Sequence, residues 1–121
     1  MKKILIVDDE PNIVMSLEFL MRRNGFEVYI ARNGKEALDL LSEKVPDLIL
    51  LDIMMPDVDG YKICMIVKSQ ERFAQTRVIF LSAKSKQSDI EKGYELGADK
   101  YITKPFSTRN LLKEVNELLN Q

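Results

Sequence analysis

The sequence predicts an α/β fold in which a five-stranded parallel sheet is sandwiched by helices, and three observations carry that expectation. Two runs, Ile4-Leu5-Ile6-Val7 and Leu48-Ile49-Leu50-Leu51, are aliphatic at every position. Such runs suit strands buried on both faces, as in a parallel sheet covered by helices. Strand-like and helix-like patterns alternate along the whole chain with short connections, the order expected of βα units. The strand runs also lead into acidic, hydroxyl or basic residues, and open parallel sheets bind ligands at the carboxyl ends of their strands.

Taken in order, the first strand, residues 4–7, closes on Asp8-Asp9-Glu10. Pro11 suits the first turn of a helix, where its missing N–H costs nothing. Ile13, Val14, Leu17, Leu20 and Met21 follow at helical spacing until Asn24-Gly25 stops the helix. Residues 27–31 form a shorter, more polar strand expected at a sheet edge. Asn33 caps the second helix, with Glu36 three residues on in a variant of the capping box, and Ala37, Leu38 and Leu41 make its apolar side. Val45-Pro46 leads to the third strand, within residues 47–52, and a Pro/Asp/Gly-rich loop follows. Asp59 caps a helix bearing Ile63, Cys64, Ile66 and Val67. The fourth strand, 77–81, runs into Ser82-Ala83-Lys84, and a helix around 88–96 terminates at Gly97. The fifth strand, 100–103, precedes Lys104-Pro105, and Ser107 caps a last helix carrying Leu111, Leu112, Val115, Leu118 and Leu119. With no linker, repeat or low-complexity tract, residues 1–121 read as one domain.

Composition removes several function classes. Lys plus Arg is 18 and Asp plus Glu is 19, a balance without the footprint of a nucleic-acid or anionic-membrane binder. There is no histidine, which excludes Ser-His-Asp and Cys-His catalysis, imidazole-bound zinc and a phosphohistidine carried on this chain. The single Cys64 cannot form an internal disulfide, so a reducing, cytoplasmic location is expected. No run approaches a membrane span. Neither G-x-G-x-x-G nor G-x-x-x-x-G-K occurs, which lowers the odds of a dinucleotide enzyme or a nucleoside triphosphatase.

The polar strand ends form a constellation. Asp8 and Asp9 follow the first strand, Asp52 the third, Ser82 the fourth, and Thr103 and Lys104 the fifth. If the first and third strands are neighbours, three carboxylates crowd together and must share a proton or a cation. Without His, and with one Cys, that cation is a hard one held by oxygen, Mg²⁺ or Mn²⁺ among them. A carboxylate beside Mg²⁺, a hydroxyl and an ammonium is a coherent device for phosphoryl transfer: the carboxylate attacks phosphorus, and the cations hold the remaining oxygens. Each member has a plainer reading: Asp8 and Asp9 as cap residues, Ser82 as a turn hydroxyl, Lys104 as a solvated lysine. Their coincidence on one edge favours the site.

These residues resemble the receiver domain of two-component response regulators, the CheY-like family. The resemblance rests on Ile4-Leu5-Ile6-Val7-Asp8-Asp9-Glu10, the 47–52 stretch with Met54-Met55-Pro56 and Asp59-Gly60, Ile79-Phe80-Leu81-Ser82-Ala83, and the run from Gly97 to Phe106. It implies a doubly wound, flavodoxin-like (βα)5 three-layer sandwich with strand order 2-1-3-4-5. It further implies Asp52 as phosphoacceptor and Mg²⁺ held by Asp8, Asp9, Asp52 and the backbone carbonyl of Met54. Ser82 and Lys104 would meet the phosphoryl group, Tyr101 would be the switch aromatic, and Lys104–Pro105 would be a cis peptide. The partners implied are a histidine kinase or histidine phosphotransfer protein, and an output protein or effector domain on the face made by the fourth helix, fifth strand and fifth helix. The domain would be a monomer or a phosphorylation-dependent dimer, without direct nucleic-acid binding and without turnover catalysis.

Some positions depart from a single pattern. Met54 and Lys84 flank the place where receivers tune acyl-phosphate lifetime, and Lys100 stands where many DNA-binding regulators have an acid. Cys64 reads as a packed helix residue, and the six Met residues as core and loop filler. Two competing readings remain. A Mg²⁺-dependent phosphohydrolase with an aspartyl-phosphate intermediate usually has a second acid two residues after the nucleophile, where Met54 stands. A pseudo-receiver that binds without phosphorylation is disfavoured because every acidic and switch position is filled. The chain ends at Gln121 with no effector domain, so the expectation is a single-domain regulator or the receiver part of a longer chain.

Overall fold

The computed structural model describes residues 1–120. Strands β1 (Lys3–Val7), β2 (Glu27–Ala31), β3 (Leu48–Leu51), β4 (Arg77–Ser82) and β5 (Lys100–Thr103) alternate with helices α1 (Pro11–Arg23), α2 (Gly34–Glu43), α3 (Gly60–Lys68), α4 (Gln87–Glu95) and α5 (Thr108–Leu119). All pairings are parallel, in the order β2-β1-β3-β4-β5, so the more polar β2 does lie at an edge.

Successive side chains of a strand point to opposite faces, and here both faces are covered. On one, Leu5, Val7, Ile49, Leu51, Val78 and Phe80 pack with Ala37 and Leu41 of α2 and with Ile63, Cys64 and Val67 of α3. On the other, Ile4, Ile6, Leu48, Leu50, Ile79 and Leu81 pack with Leu17 and Met21 of α1 and with Leu111 and Val115 of α5. Cys64 is buried, and burial pushes its thiol up to about 11, which suits a packing residue. Helix α4 is the exception: Gly93 is its one buried residue.

Helix ends follow the sequence signals. Asn33 accepts from the Glu36 amide, Asp59 from Lys62 and Ser107 from Asn110, the N-cap geometry that satisfies otherwise free amides. Glu36 reaches back to the amide of Arg32, one residue before the expected partner of a capping box. Gly25 and Gly97 have φ of 88° and 103°, left-handed positions that glycine takes without a Cβ clash.

Several boundaries differ from expectation: β1 begins at Lys3, one residue early, and α4 ends at Glu95, one residue before the expected end. Ser82 is the last residue of β4 because it still pairs with Thr103. Helix α4 starts at Gln87, one residue early, with Lys86 at the cap and no side-chain bond there to mark it. A 3-10 turn, Glu71–Phe73, was not signalled by the polar 69–76 segment; it sinks Phe73 into the core.

The loop after β3 is held down by Gly60, whose amide donates to the Ile53 carbonyl at 2.9 Å. A Cβ at Gly60 would lie 2.2 Å from the Asp52 carbonyl oxygen and 2.8 Å from the Ile53 Cα. Both are backbone atoms that cannot swing away. Gly60→Ala should therefore destabilise the fold by about 1–3 kcal/mol, the usual cost of overpacking, as read by urea unfolding. An unchanged midpoint would show that the loop yields freely.

Candidate functional site

The site lies where β1, β3, β4 and β5 end. Val7 pairs with Leu51, so Asp8 and Asp52 leave the sheet as neighbours, and the Asp52 amide donates to the Val7 carbonyl at 2.9 Å. Carboxylate oxygens of Asp8, Asp9 and Asp52 all lie within 4.8 Å of one another. Asp8 and Asp52 are buried and Asp9 is exposed, leaving the cluster open on one side.

Lys104 supplies the countercharge. One residue beyond β5, it extends its ammonium across the edge to 2.9 Å from Asp8, 3.3 Å from Glu10 and 3.8 Å from Asp52. Its own backbone is pinned by an N–H bond to the Ser82 carbonyl at 2.8 Å, and Lys104–Pro105 is cis. The role of Glu10 was not anticipated; its position next to Asp8-Asp9 was the only signal in the sequence. Burial works against the charge of Lys104, but the bond to Asp8 and the field of Asp52 and Asp8 raise its pKa overall.

Asp52 is only 5% exposed. Burial pushes its carboxyl up to about 6, against the pull of Lys104 and with the neighbouring Asp8 adding to the rise. Its charged form is thus under-compensated by the protein alone. Three clustered carboxylates with oxygen donors only, one of them destabilised as an anion, fit a hard divalent cation.

The remaining expected residues surround this cluster. The Ser82 side chain is fully buried, and its Oγ accepts from the Lys84 amide at 3.1 Å. The Lys84 carbonyl accepts from the Tyr101 hydroxyl at 2.7 Å, and the Tyr101 ring packs on Phe80 with centroids 5.8 Å apart. Tyr101 is therefore partly inserted, touching the loop that carries Ser82. A second tyrosine, not singled out in the sequence, joins this group: the Tyr61 hydroxyl donates to the Asp89 carbonyl in the first turn of α4 at 2.9 Å. Met54 is 58% exposed. It borders a groove of about 520 Å³ beside the cluster, with Asp9, Met55, Tyr61, Lys84 and Lys92 among its walls.

Comparison with known proteins follows the same outline. A family model described as the response regulator receiver domain matches residues 4–116. The BeF3-activated receiver domain of DrrB, an OmpR/PhoB homologue of Thermotoga maritima, is 36% identical with a TM-score of 0.92, the match covering 100% of this chain and 99% of that one. The receiver domain of a signal transduction histidine kinase from Syntrophus aciditrophicus is 38% identical, with a TM-score of 0.91 over 99% of this chain and 91% of that one. Chemotaxis protein CheY4 of Vibrio cholerae is 29% identical, with a TM-score of 0.91 over 98% and 99%.

The raised pKa of Asp52 has a sign that can be tested. Folding favours its protonated form, so native stability falls as pH rises from the usual 3.8 toward about 6, and the cost is complete above that. The gap corresponds to about 3 kcal/mol. Metal-free Asp52→Asn should therefore be more stable than wild type at pH 7.5, by up to about that amount, and indistinguishable near pH 3.5. Urea unfolding at the two pH values decides it; an equal difference at both would refute the assignment.

Proposed function

The chain belongs to the response regulator receiver domain family of two-component systems, and from that premise we propose that it is a phosphorylation-controlled switch whose phosphoacceptor is Asp52. The observation that carries this reading is a buried, under-compensated carboxylate at a strand end, with Asp8 and Asp9 within 4.8 Å and the Lys104 ammonium at 3.8 Å. Asp8, Asp9, Asp52 and the Met54 carbonyl would hold Mg²⁺, with Mn²⁺ as a substitute. Bound there, the ion would neutralise phosphoryl oxygens and favour the ionised form of Asp52.

The chain's own residues do the rest. An Asp52 oxygen attacks phosphorus of a partner's phosphohistidine; the new O–P bond replaces the N–P bond, whose electron pair returns to the imidazole. Lys104, already paired with Asp8 and close to Asp52, shifts its charge onto the phosphoryl oxygens. Ser82 gives up the bond its Oγ accepts from the Lys84 amide in exchange for one its hydroxyl donates to a phosphoryl oxygen. Because the Lys84 carbonyl holds the Tyr101 hydroxyl, that exchange acts on the ring as well as on the loop. Helix α4, with little buried surface, is the element most easily re-seated, so the α4-β5-α5 face is where an output protein or attached effector domain reads the signal. The phosphoryl donor is a histidine kinase or a histidine phosphotransfer protein.

Incubation with Mg²⁺ and acetyl phosphate followed by intact-mass measurement tests the proposal. A single phosphoryl adduct should form on the wild type and be absent from Asp52→Asn. No adduct with any donor would leave a phosphorylation-independent binding module. Sustained turnover of small phosphate esters would instead make the protein a phosphohydrolase.

The relay through Tyr101 has its own test. Tyr101→Phe keeps the ring on Phe80 but removes the bond to Lys84. It should phosphorylate as the wild type does, while the amide shifts that phosphorylation produces in α4 shrink. Full-sized α4 shifts in the variant would separate the hydroxyl from the switch.

A further inference from the structure

The loop between β3 and α3 is tied to a second element by a contact outside the carboxylate cluster. Asp57 reaches across the sheet edge to the start of α2, where Oδ1 accepts from the Gly34 amide at 2.9 Å and Oδ2 from the Lys35 amide at 2.8 Å. These are two of the N–H groups that a helix start leaves without an internal partner. The next, that of Glu36, is taken by Asn33. The donors hold the Asp57 carboxyl below its ordinary range, so the clamp is an ionised carboxylate on a positive helix end. The backbones are also in contact: a Cβ on Gly34 would lie 2.5 Å from the Val58 Cβ and 2.8 Å from the Val58 carbonyl oxygen.

The same loop runs back from Asp57 to Met54, whose carbonyl is expected to face the metal. At its other end Gly60 ties it to the Ile53 carbonyl. Between those points Asp59 caps α3, the helix that the loop leads into, and the only side-chain bond from the loop to any other element, among the described residues, is that of Asp57. We propose that Asp57, seated on the Gly34-Lys35 amides, is a positioning residue for divalent-metal binding: it sets the path of the β3–α3 loop and thereby the place of the Met54 carbonyl. The proposal rests on the receiver reading above and adds to it a residue that touches neither the metal nor the phosphoryl group.

The test is a Mg²⁺ titration of ¹⁵N-labelled protein, read by amide chemical shifts, with no phosphoryl donor present. Asp57→Ala removes the clamp from the loop side. Gly34→Ala pushes Val58 away from the helix side without changing any charge. Both should weaken Mg²⁺ binding in the same direction, roughly tenfold, as groups that orient metal ligands from outside do. Both should also move the Met54 and Met55 amides in the metal-free spectrum. Asn33→Ala removes the other cap of α2 but not the loop contact, and should leave Mg²⁺ affinity unchanged. Wild-type affinity in a folded Gly34→Ala protein would overturn the proposal, as would an Asn33→Ala loss equal to that of Asp57→Ala, since fraying of α2 would then be the cause. If Asp57→Ala fails to fold, Gly34→Ala alone decides. A wild type that binds no Mg²⁺ would overturn the receiver reading and not merely the role of Asp57.

Discussion

Parallel pairing of β1 with β3 sets Val7 opposite Leu51, and the acids that follow each strand emerge side by side at one edge. Nothing in that register is adjustable, because all eight paired side chains, Ile4 to Val7 and Leu48 to Leu51, are buried. A slip by one residue would turn every one of them to the opposite face. The hydrophobic core thus enforces a like-charge contact that the carboxylates would not choose. Lys104, delivered from the far edge strand, is the protein's partial answer. It sits nearer to Asp8 than to Asp52, which leaves Asp52 the less compensated of the two buried acids.

That imbalance links stability to function. A carboxylate held at about 6 by burial is poorly solvated, which costs the fold but keeps an ionisable group at the edge of a packed sheet. The cost is local and is offset by two continuous apolar layers with α1 and α5 on one side and α2 and α3 on the other. Helix α4 contributes least to those layers. Beyond Gly93 set against the Phe80 and Tyr101 rings, its attachments include Tyr61 to the Asp89 carbonyl, Lys84 to the Asp89 carboxylate at 3.7 Å, and Tyr94 accepting from the Tyr101 amide. An element fastened by such bonds can be re-seated at small cost, whereas the interdigitated helices cannot.

The contacts of the β3–α3 loop show a similar division. Its two ends are dictated by local chemistry, Gly60 for close backbone approach and Asp59 as the cap of α3. Its middle is set from more than twenty residues away, by the start of α2. The middle of the loop is therefore only as well placed as the start of α2.

What the sequence determined by itself was whatever depends on neighbours along the chain. The aliphatic runs, the helical spacing in α1 and α5, the caps at Asn33, Asp59 and Ser107 and the stops at Gly25 and Gly97 were all legible, because periodicity and capping are short-range. The grouping of the polar strand ends was legible for a related reason: in a parallel sheet every strand ends on the same edge, so Asp8, Asp9, Asp52, Ser82 and Lys104 could be placed together before their distances were known. The start of α4 was off by a residue because Lys86 makes no side-chain cap. The turn at Glu71–Phe73 was missed because one buried Phe, not a pattern, holds it. Only the tertiary structure decided which acid Lys104 favours, that Glu10 shares it, that Tyr61 and Tyr101 fasten the approach to α4, and that Asp57 seats on α2. Those choices depend on where long side chains end in space, and residues 17 to 96 positions apart leave no periodic trace of meeting.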